Sequence, residues 1–236
     1  MFATNQHGIY CVPRSCLHRP VSRAVLRSRV WEADTLELMR NVDSHGDIVH
    51  AGTFFGDFLP ALARSRRDDA LVWAFEPSRE SYRCAQVTVL LNDLENVVLT
   101  HAALDANGGT GLLATSDRSG RPTGGASHMI RDPSSAGLRT NEEVRLVSLD
   151  DVIARDRHVA IIQLDVEGYE QRALEGAMGT IERCRPLLVL EGLPHKSWFA
   201  ANLEPLGYRV DGPVNSNAVV GCHRTDETLR AAGASG

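Results

Sequence analysis

Three groups of residues in the chain have types and spacings that could do chemistry. The run His50-Ala51-Gly52-Thr53-Phe54-Phe55-Gly56-Asp57 sets glycines directly after a short apolar stretch. Gly52 lets the backbone turn tightly and lie close to a ligand, and the helix that follows offers free N–H groups to an anion. Glycines between a strand and a helix also serve packing alone, so this run leaves both readings open. Glu76 follows Gly52 by 24 residues, at the end of the next apolar run. A carboxylate there can accept hydrogen bonds from both hydroxyls of a ribose. Pro77 after it closes the strand and fixes the direction of that carboxylate. The glycine turn and the strand-end acid together imply an adenosine-containing ligand, without separating NAD from S-adenosylmethionine. The turn lacks the three glycines of G-x-G-x-x-G, which favours a ligand with a carboxylate over one with a pyrophosphate.

The third group is acidic: Asp165, Glu167 and then Glu191, each just after an apolar run. Two acids ending adjacent strands can bind a cation or remove a proton. Acids also cap helices, as Glu170 could here, so Glu167-Gly168 reads equally as a turn at a helix start. His195 follows Glu191 by four residues and could face the same cleft or sit on a surface loop.

These residues must be positioned by alternating strands and helices. Asp47–Ala51, Leu71–Phe75, Val97–His101, Val144–Leu149, Val159–Leu164 and Leu187–Leu190 read as strands. Phe54–Arg64, Arg79–Asn92 and Glu170–Arg183 carry apolar residues at helical spacing, with Pro60 the weak point of the first. Tyr208–Val210 and Ala218–Val220 are expected to pair around Asp211-Gly212-Pro213. The order is that of a doubly wound α/β domain with a parallel sheet. Between Asn107 and Asn141 lie seven glycines and two prolines, so turns, a short hairpin or a loop closing over the sheet are expected there. We expect an N-terminal arm over residues 1–30, the domain over 31–223 and a frayed tail over 224–236.

Composition narrows the classes. The chain has 236 residues, 25 Lys plus Arg against 30 Asp plus Glu, and a net charge of −5. A mildly acidic chain is not built around nonspecific nucleic-acid binding, and no apolar stretch is long enough to cross a bilayer. Its five cysteines form no CxxC pair and are scattered from histidines, so free thiols in a reducing cytoplasm are expected and a zinc site is not. The first 31 residues contain no acid but carry Arg14, Arg19, Arg23, Arg27 and Arg29. That composition is shared by transit peptides, yet Pro13 and Pro20 interrupt a long amphipathic helix, and an arm packed on the domain is expected.

Several blocks also resemble one family. Asp47–Asp57 and Ala74-Phe75-Glu76-Pro77 are similar to the first two motifs of FkbM-type S-adenosylmethionine-dependent methyltransferases. Leu91–Val97 with Ala102-Ala103-Leu104 is similar to the third block. Leu149-Asp150-Asp151, Leu164–Glu170 and Leu174-Glu175-Gly176-Ala177 are similar to the last, and Trp31-Glu32 to the entry helix. The resemblance runs in order from about Arg29 to Glu191. It implies a class I methyltransferase fold, a Rossmann-like, seven-stranded, mostly parallel sheet with an antiparallel final hairpin. It also implies that Gly52, Thr53, Gly56 and Asp57 wrap the methionine part of the cofactor, that Glu76 and Pro77 hold the ribose, and that Ala102 and Ala103 face the adenine. Asp165 would lie beside the sulfonium and the acceptor. His50 stands where the family usually has Asp, which helps position the cofactor's ammonium or a bridging water.

The expectation is O-methylation of a hydroxyl on a sugar or secondary metabolite, with Asp165, Glu191 and His195 as candidate base or metal ligands and Mg²⁺ as a candidate cofactor. A small-molecule acceptor is expected, with neither nucleic acid nor membrane as partner, and an oligomer is compatible with the sequence. The alternatives are a nicotinamide oxidoreductase, disfavoured by the missing G-x-G-x-x-G, and a non-catalytic relative with a degenerate first motif at His50.

Overall fold

The computed structural model describes residues 1–67, 69–130 and 141–223. In chain order the strands are β1 Phe2–Asn5, β2 Gly8–Cys11, β3 Asp47–Ala51, β4 Val72–Phe75, β5 Val97–Thr100, β6 Ala103–Leu104 and β7 Gly109–Ala114. They continue as β8 His128–Met129, β9 Asn141–Val147, β10 Val159–Leu164, β11 Leu187–Leu190, β12 Tyr208–Val214 and β13 Asn217–Cys222. The helices are α1 Pro20–Leu26, α2 Ala33–Arg40, α3 Leu59–Ser65, α4 Arg79–Leu91, α5 Leu149–Val152, α6 Glu170–Glu175, α7 Met178–Cys184 and α8 Lys196–Asn202.

Seven strands form the central sheet in the order β12-β13-β11-β10-β3-β4-β5. The pairings from β11 through β10, β3 and β4 to β5 are parallel, while β13 joins β11 and β12 antiparallel. Because strand side chains alternate in direction, β3 serves two cores. Ile48 packs with Leu36, Met39, Leu59 and Leu62 on one face, and Val49 with Leu164, Leu174 and Ile181 on the other. Asp47 staples the start of β3 by accepting hydrogen bonds from the Trp73 indole N–H (2.7 Å), the Leu71 backbone N–H (2.9 Å) and Arg157 Nε (2.8 Å).

The arm is a hairpin, β1 with β2, followed by a single 3-10 turn and α1. It is tied to α4, since the Ile9 N–H donates to Asn92 Oδ1 (3.0 Å) and the Cys11 N–H to Thr88 Oγ1 (3.1 Å). Tyr10, Val12, Cys16 and Val25 form a third core with Phe54 and Phe55, so the arm packs directly against the glycine turn. All five cysteines are free thiols, and no helix among the described residues is long and apolar enough to cross a membrane.

Several sequence expectations change. The strand expected over Val144–Leu149 is β9, Asn141–Val147, because Ser148 caps α5 through its side chain and Leu149 begins that helix. The helix expected over Phe54–Arg64 begins only at Leu59, because Pro60 has no N–H and fits the first helical turn alone. The residues before it form turns, with Phe54 at φ +52 and Gly56 at φ +79. The helix expected over Glu170–Arg183 is two helices, broken at Gly176-Ala177. A Cβ on Gly176 would stand 2.0 Å from the Asp105 carbonyl oxygen, so two backbones touch at that point. The glycine-rich segment contributes more than a hairpin: β7 and β8 join β6 and β9 in a second sheet of order β6-β9-β7-β8. Residues 131–140 of that segment, and the tail 224–236, lie outside the described residues. Finally, the last hairpin does not turn at Asp211-Gly212-Pro213, where the register shifts instead; the strands extend to a turn at Asn215-Ser216.

Candidate active site

The order of strand addition reverses between β3 and β10, and beyond the carboxyl ends of such a pair an open α/β sheet binds its ligands. Here the two ends touch. The Asp165 N–H donates to the Ala51 carbonyl (3.0 Å), and a Cβ on Gly52 would fall 1.8 Å from the Asp165 carbonyl oxygen. Gly52 has φ +83, a conformation glycine adopts without steric cost. Its N–H and that of Thr53 both donate to the Phe75 carbonyl (3.0 and 3.2 Å), which locks the turn onto β4.

Glu76 sits at the end of β4 and is 6% exposed. Its Oε2 accepts from the Phe54 N–H (2.7 Å) and its Oε1 from the Ser78 N–H (2.8 Å). Burial pushes this carboxyl up to about 8, against the pull of those two donors. Each oxygen has a lone pair left over, so the side chain can receive two further donors. Glu76, Pro77, Gly52, Ala102 and Ala103 line a narrow slot with apolar walls from Phe75, Leu104 and Leu113 and with Asp165 and Tyr169 at its edge. Gly125, Ser127 and Met129 from the glycine-rich segment also line it.

A second cavity of about 210 Å³ adjoins the slot. Gly52, Gly125 and Asp165 line both. Around the second cavity stand Glu32, Asp57, Glu167 and Glu191, the aromatic rings of Trp31, Phe54 and Phe58, and Arg19 from the arm. Asp165, Glu167 and Glu191 can bring carboxylate oxygens within 4.8 Å of one another. Burial, and then the neighbouring Glu191, push Asp165 up to about 9. Burial and Glu191 likewise push Glu167 up to about 7, with Arg19 opposing, and burial raises Asp57 to about 7. Such acids hold protons that they exchange near neutral pH, which suits proton transfer.

His50 is 4% exposed and stacked on Phe58, with ring centroids 5.6 Å apart. Its Nδ1 is hydrogen-bonded to Gln163 Oε1, the residue facing it across β10. An amide oxygen only accepts, so Nδ1 carries the proton and Nε2 keeps its lone pair. Nε2 is buried without a partner, and burial lowers the imidazole to about 4, so the ring is neutral.

Of the residues expected from sequence, His50, Gly52, Asp57, Glu76, Pro77, Ala102, Ala103, Asp165 and Glu191 line one of the two cavities. Thr53 and Gly56 do not: the Thr53 hydroxyl donates to the His50 carbonyl (3.0 Å), and Gly56 shapes the turn beneath. His195 is not brought to the cavity either. It caps α8 in an exposed position, with Nδ1 2.8 Å from Ser197 Oγ, because β11 ends at Leu190 and the chain turns away before α8 begins. Sequence reading missed Gln163, a single polar residue inside an apolar run, which was itself a usable signal. It also missed Arg19, Glu32 and Phe58, whose spacing carries none. A larger cleft between α8 and β12, lined by Arg185, Phe199 and Tyr208 among others, shares no residue with this site.

The model of the methyltransferase FkbM domain matches residues 50–213. Similar solved structures include a methyltransferase FkbM from Methylobacillus flagellatus KT, 18% identical with TM-score 0.49, the match covering 75% of this chain and 43% of that one. A methyltransferase from Geobacter sulfurreducens is 13% identical with TM-score 0.47, covering 89% and 88%. An rRNA methylase from Streptococcus thermophilus is 11% identical with TM-score 0.47, covering 80% and 95%. The chain therefore spans less than half the length of the Methylobacillus protein. No curated protein matches the chain.

Proposed function

The chain belongs to the FkbM methyltransferase domain family, and from that premise we propose that it moves a methyl group from S-adenosylmethionine to a hydroxyl of a small molecule, a sugar or secondary metabolite. The observation that carries this reading is Asp165, an acid at the junction of a narrow slot, lined by the strand-end residues Gly52 and Glu76, and a second, acid-lined cavity. The slot suits the cofactor by its donor set. Glu76 has two free lone pairs for the ribose hydroxyls, Ala102 and Ala103 leave room for a flat base, and Gly52 leaves room for the methionine part. His50, Asp57 and Asp165 are the polar groups available to the methionine end. When bound, the cofactor supplies a methyl carbon activated by its sulfonium.

The residues of the chain then have three tasks. Asp165, in its carboxylate form beside Glu191, takes the hydroxyl proton as the new carbon–oxygen bond forms and the carbon–sulfur bond breaks. Trp31, Phe54 and Phe58 exclude water and hold the acceptor in line with the methyl carbon. Gly124 and Gly125, packed against Phe54, close the top as a lid. If the reaction uses Mg²⁺, Asp165, Glu167 and Glu191 are its oxygen ligands, and chelation abolishes turnover until Mg²⁺ is restored. The acceptor is small rather than a nucleic acid, because a cavity with five carboxyls repels phosphates. A cytoplasmic location goes with the five free thiols.

A second reading, a non-catalytic cofactor-binding relative, rests on His50 in place of the acid usual in the family. One experiment separates the two. Calorimetric titration with S-adenosylhomocysteine and with NAD, followed by methyl-transfer assays against hydroxyl acceptors, should give homocysteine-product binding, no NAD binding, and turnover lost in Asp165→Ala. Binding without any transfer favours the second reading, and NAD binding refutes both.

A further inference from the structure

Resting on the methyltransferase reading, we propose that the cavity beside the cofactor slot takes a cationic acceptor, an amine-bearing polyol such as an amino sugar, held by its ammonium among the carboxyls while a neighbouring hydroxyl is methylated. The first support is charge. Five carboxyls line this cavity, and Arg19 is the one permanent cation among its described lining residues. None of the five forms an ion pair among the described residues. The cofactor's own ammonium would answer only part of that charge.

An independent support is His50. Its side chain is 4% exposed and lines the same cavity, and its Nε2 is buried without a partner among the described residues. A buried acceptor left unpaired costs about 1–3 kcal/mol until a donor reaches it. An ammonium brings three donors, and a polyol brings more. A bare divalent ion would satisfy Asp165, Glu167 and Glu191 but leave the His50 Nε2 unserved, in a cavity of about 210 Å³ that far exceeds one ion. The rings of Trp31, Phe54 and Phe58 add faces on which a cation and a sugar ring can rest.

The arrangement also chooses the methylated atom. An amine among carboxylates stays protonated and has no lone pair to attack with. The adjacent hydroxyl oxygen therefore bonds to the methyl carbon, its proton passes to Asp165, and the carbon–sulfur electron pair leaves with the sulfur.

The test is calorimetric titration of the full chain, saturated with S-adenosylhomocysteine, using glucosamine, N-acetylglucosamine and MgCl₂ as probes. Glucosamine should bind about tenfold or more tightly than N-acetylglucosamine, whose nitrogen is uncharged. Glu32→Gln and Glu167→Gln should each erode that preference while still binding S-adenosylhomocysteine, which shows that they remain folded. Equal affinity for the two sugars, binding of neither, or displacement of glucosamine by S-adenosylhomocysteine overturns the proposal. So does one-to-one Mg²⁺ binding that excludes glucosamine. Failure of S-adenosylhomocysteine itself to bind is a different result, and refutes the methyltransferase reading on which the proposal stands.

Discussion

Replacing Glu76 by Gln keeps the size of the side chain and removes its charge and one of its two acceptors. In the native site each carboxylate oxygen accepts one backbone N–H, from Phe54 at 2.7 Å and from Ser78 at 2.8 Å, and has one lone pair left for a ribose hydroxyl. A glutamine has a single oxygen. It can keep one N–H and receive one hydroxyl, while its own NH₂ faces the other N–H and the other hydroxyl. Binding thus loses about one charge-assisted hydrogen bond, worth about 2 kcal/mol, or about thirtyfold in affinity for S-adenosylhomocysteine. Stability should move less. The orphaned N–H costs about 1–3 kcal/mol, but the neutral amide is spared the burial penalty on a charged group that raises the carboxyl to about 8. Titration calorimetry of wild type and Glu76→Gln, with a melting curve for each, measures both effects. An affinity within about threefold of wild type, in a variant that still melts cooperatively, would refute the assignment of Glu76 to the ribose.

Other consequences follow from the same geometry. Asp165 is held up to about 9 by burial and by Glu191, so its base form grows with pH. The rate with a hydroxyl acceptor should climb from about pH 6 toward pH 9, and Glu191→Gln should shift that climb to lower pH; a flat profile would count against Asp165 as the base. The same group is protonated more in the folded than in the unfolded chain between 3.8 and about 9, so stability falls as pH rises through that window. Asp165→Asn should flatten the fall in melting temperature. Gly52→Ala places a methyl 1.8 Å from the Asp165 carbonyl oxygen at φ +83. A cost of about 3 kcal/mol is expected, seen as a melting temperature about 10 °C lower, and an unchanged melt would contradict the strand contact. Asp47→Ala unpairs the Trp73 indole and leaves Arg157 with Asp69 alone, at the opposite end of the same strand. It should lower the melting temperature by about 10 °C with affinity for S-adenosylhomocysteine nearly unchanged, since its role is to staple the sheet.

The strands at the heart of the sheet were legible because they are buried on both faces. Asp47–Ala51, Val159–Leu164 and Leu187–Leu190 are short apolar runs bounded by turn residues, and each is a strand over those same residues. Helix limits were less legible. A run of apolar residues gives the same periodicity whether or not Pro60 permits the helix to begin before Leu59. The break at Gly176 depends on the approach of Asp105, which is distant in the chain.

The ordered blocks that place the chain in its family, the parallel core, and the strand-end positions of Gly52, Glu76, Asp165 and Glu191 can all be read along the chain. Those follow from local pattern, since burial and turn chemistry act over a few residues. Folding in three dimensions turns His195 away, pairs Gln163 with His50, and brings Arg19, Glu32 and Glu167 into one cavity with Asp165. These side chains are brought together by strand register and by the packing of the arm on Phe54 and Phe55, and neither leaves a spacing that can be read along the chain.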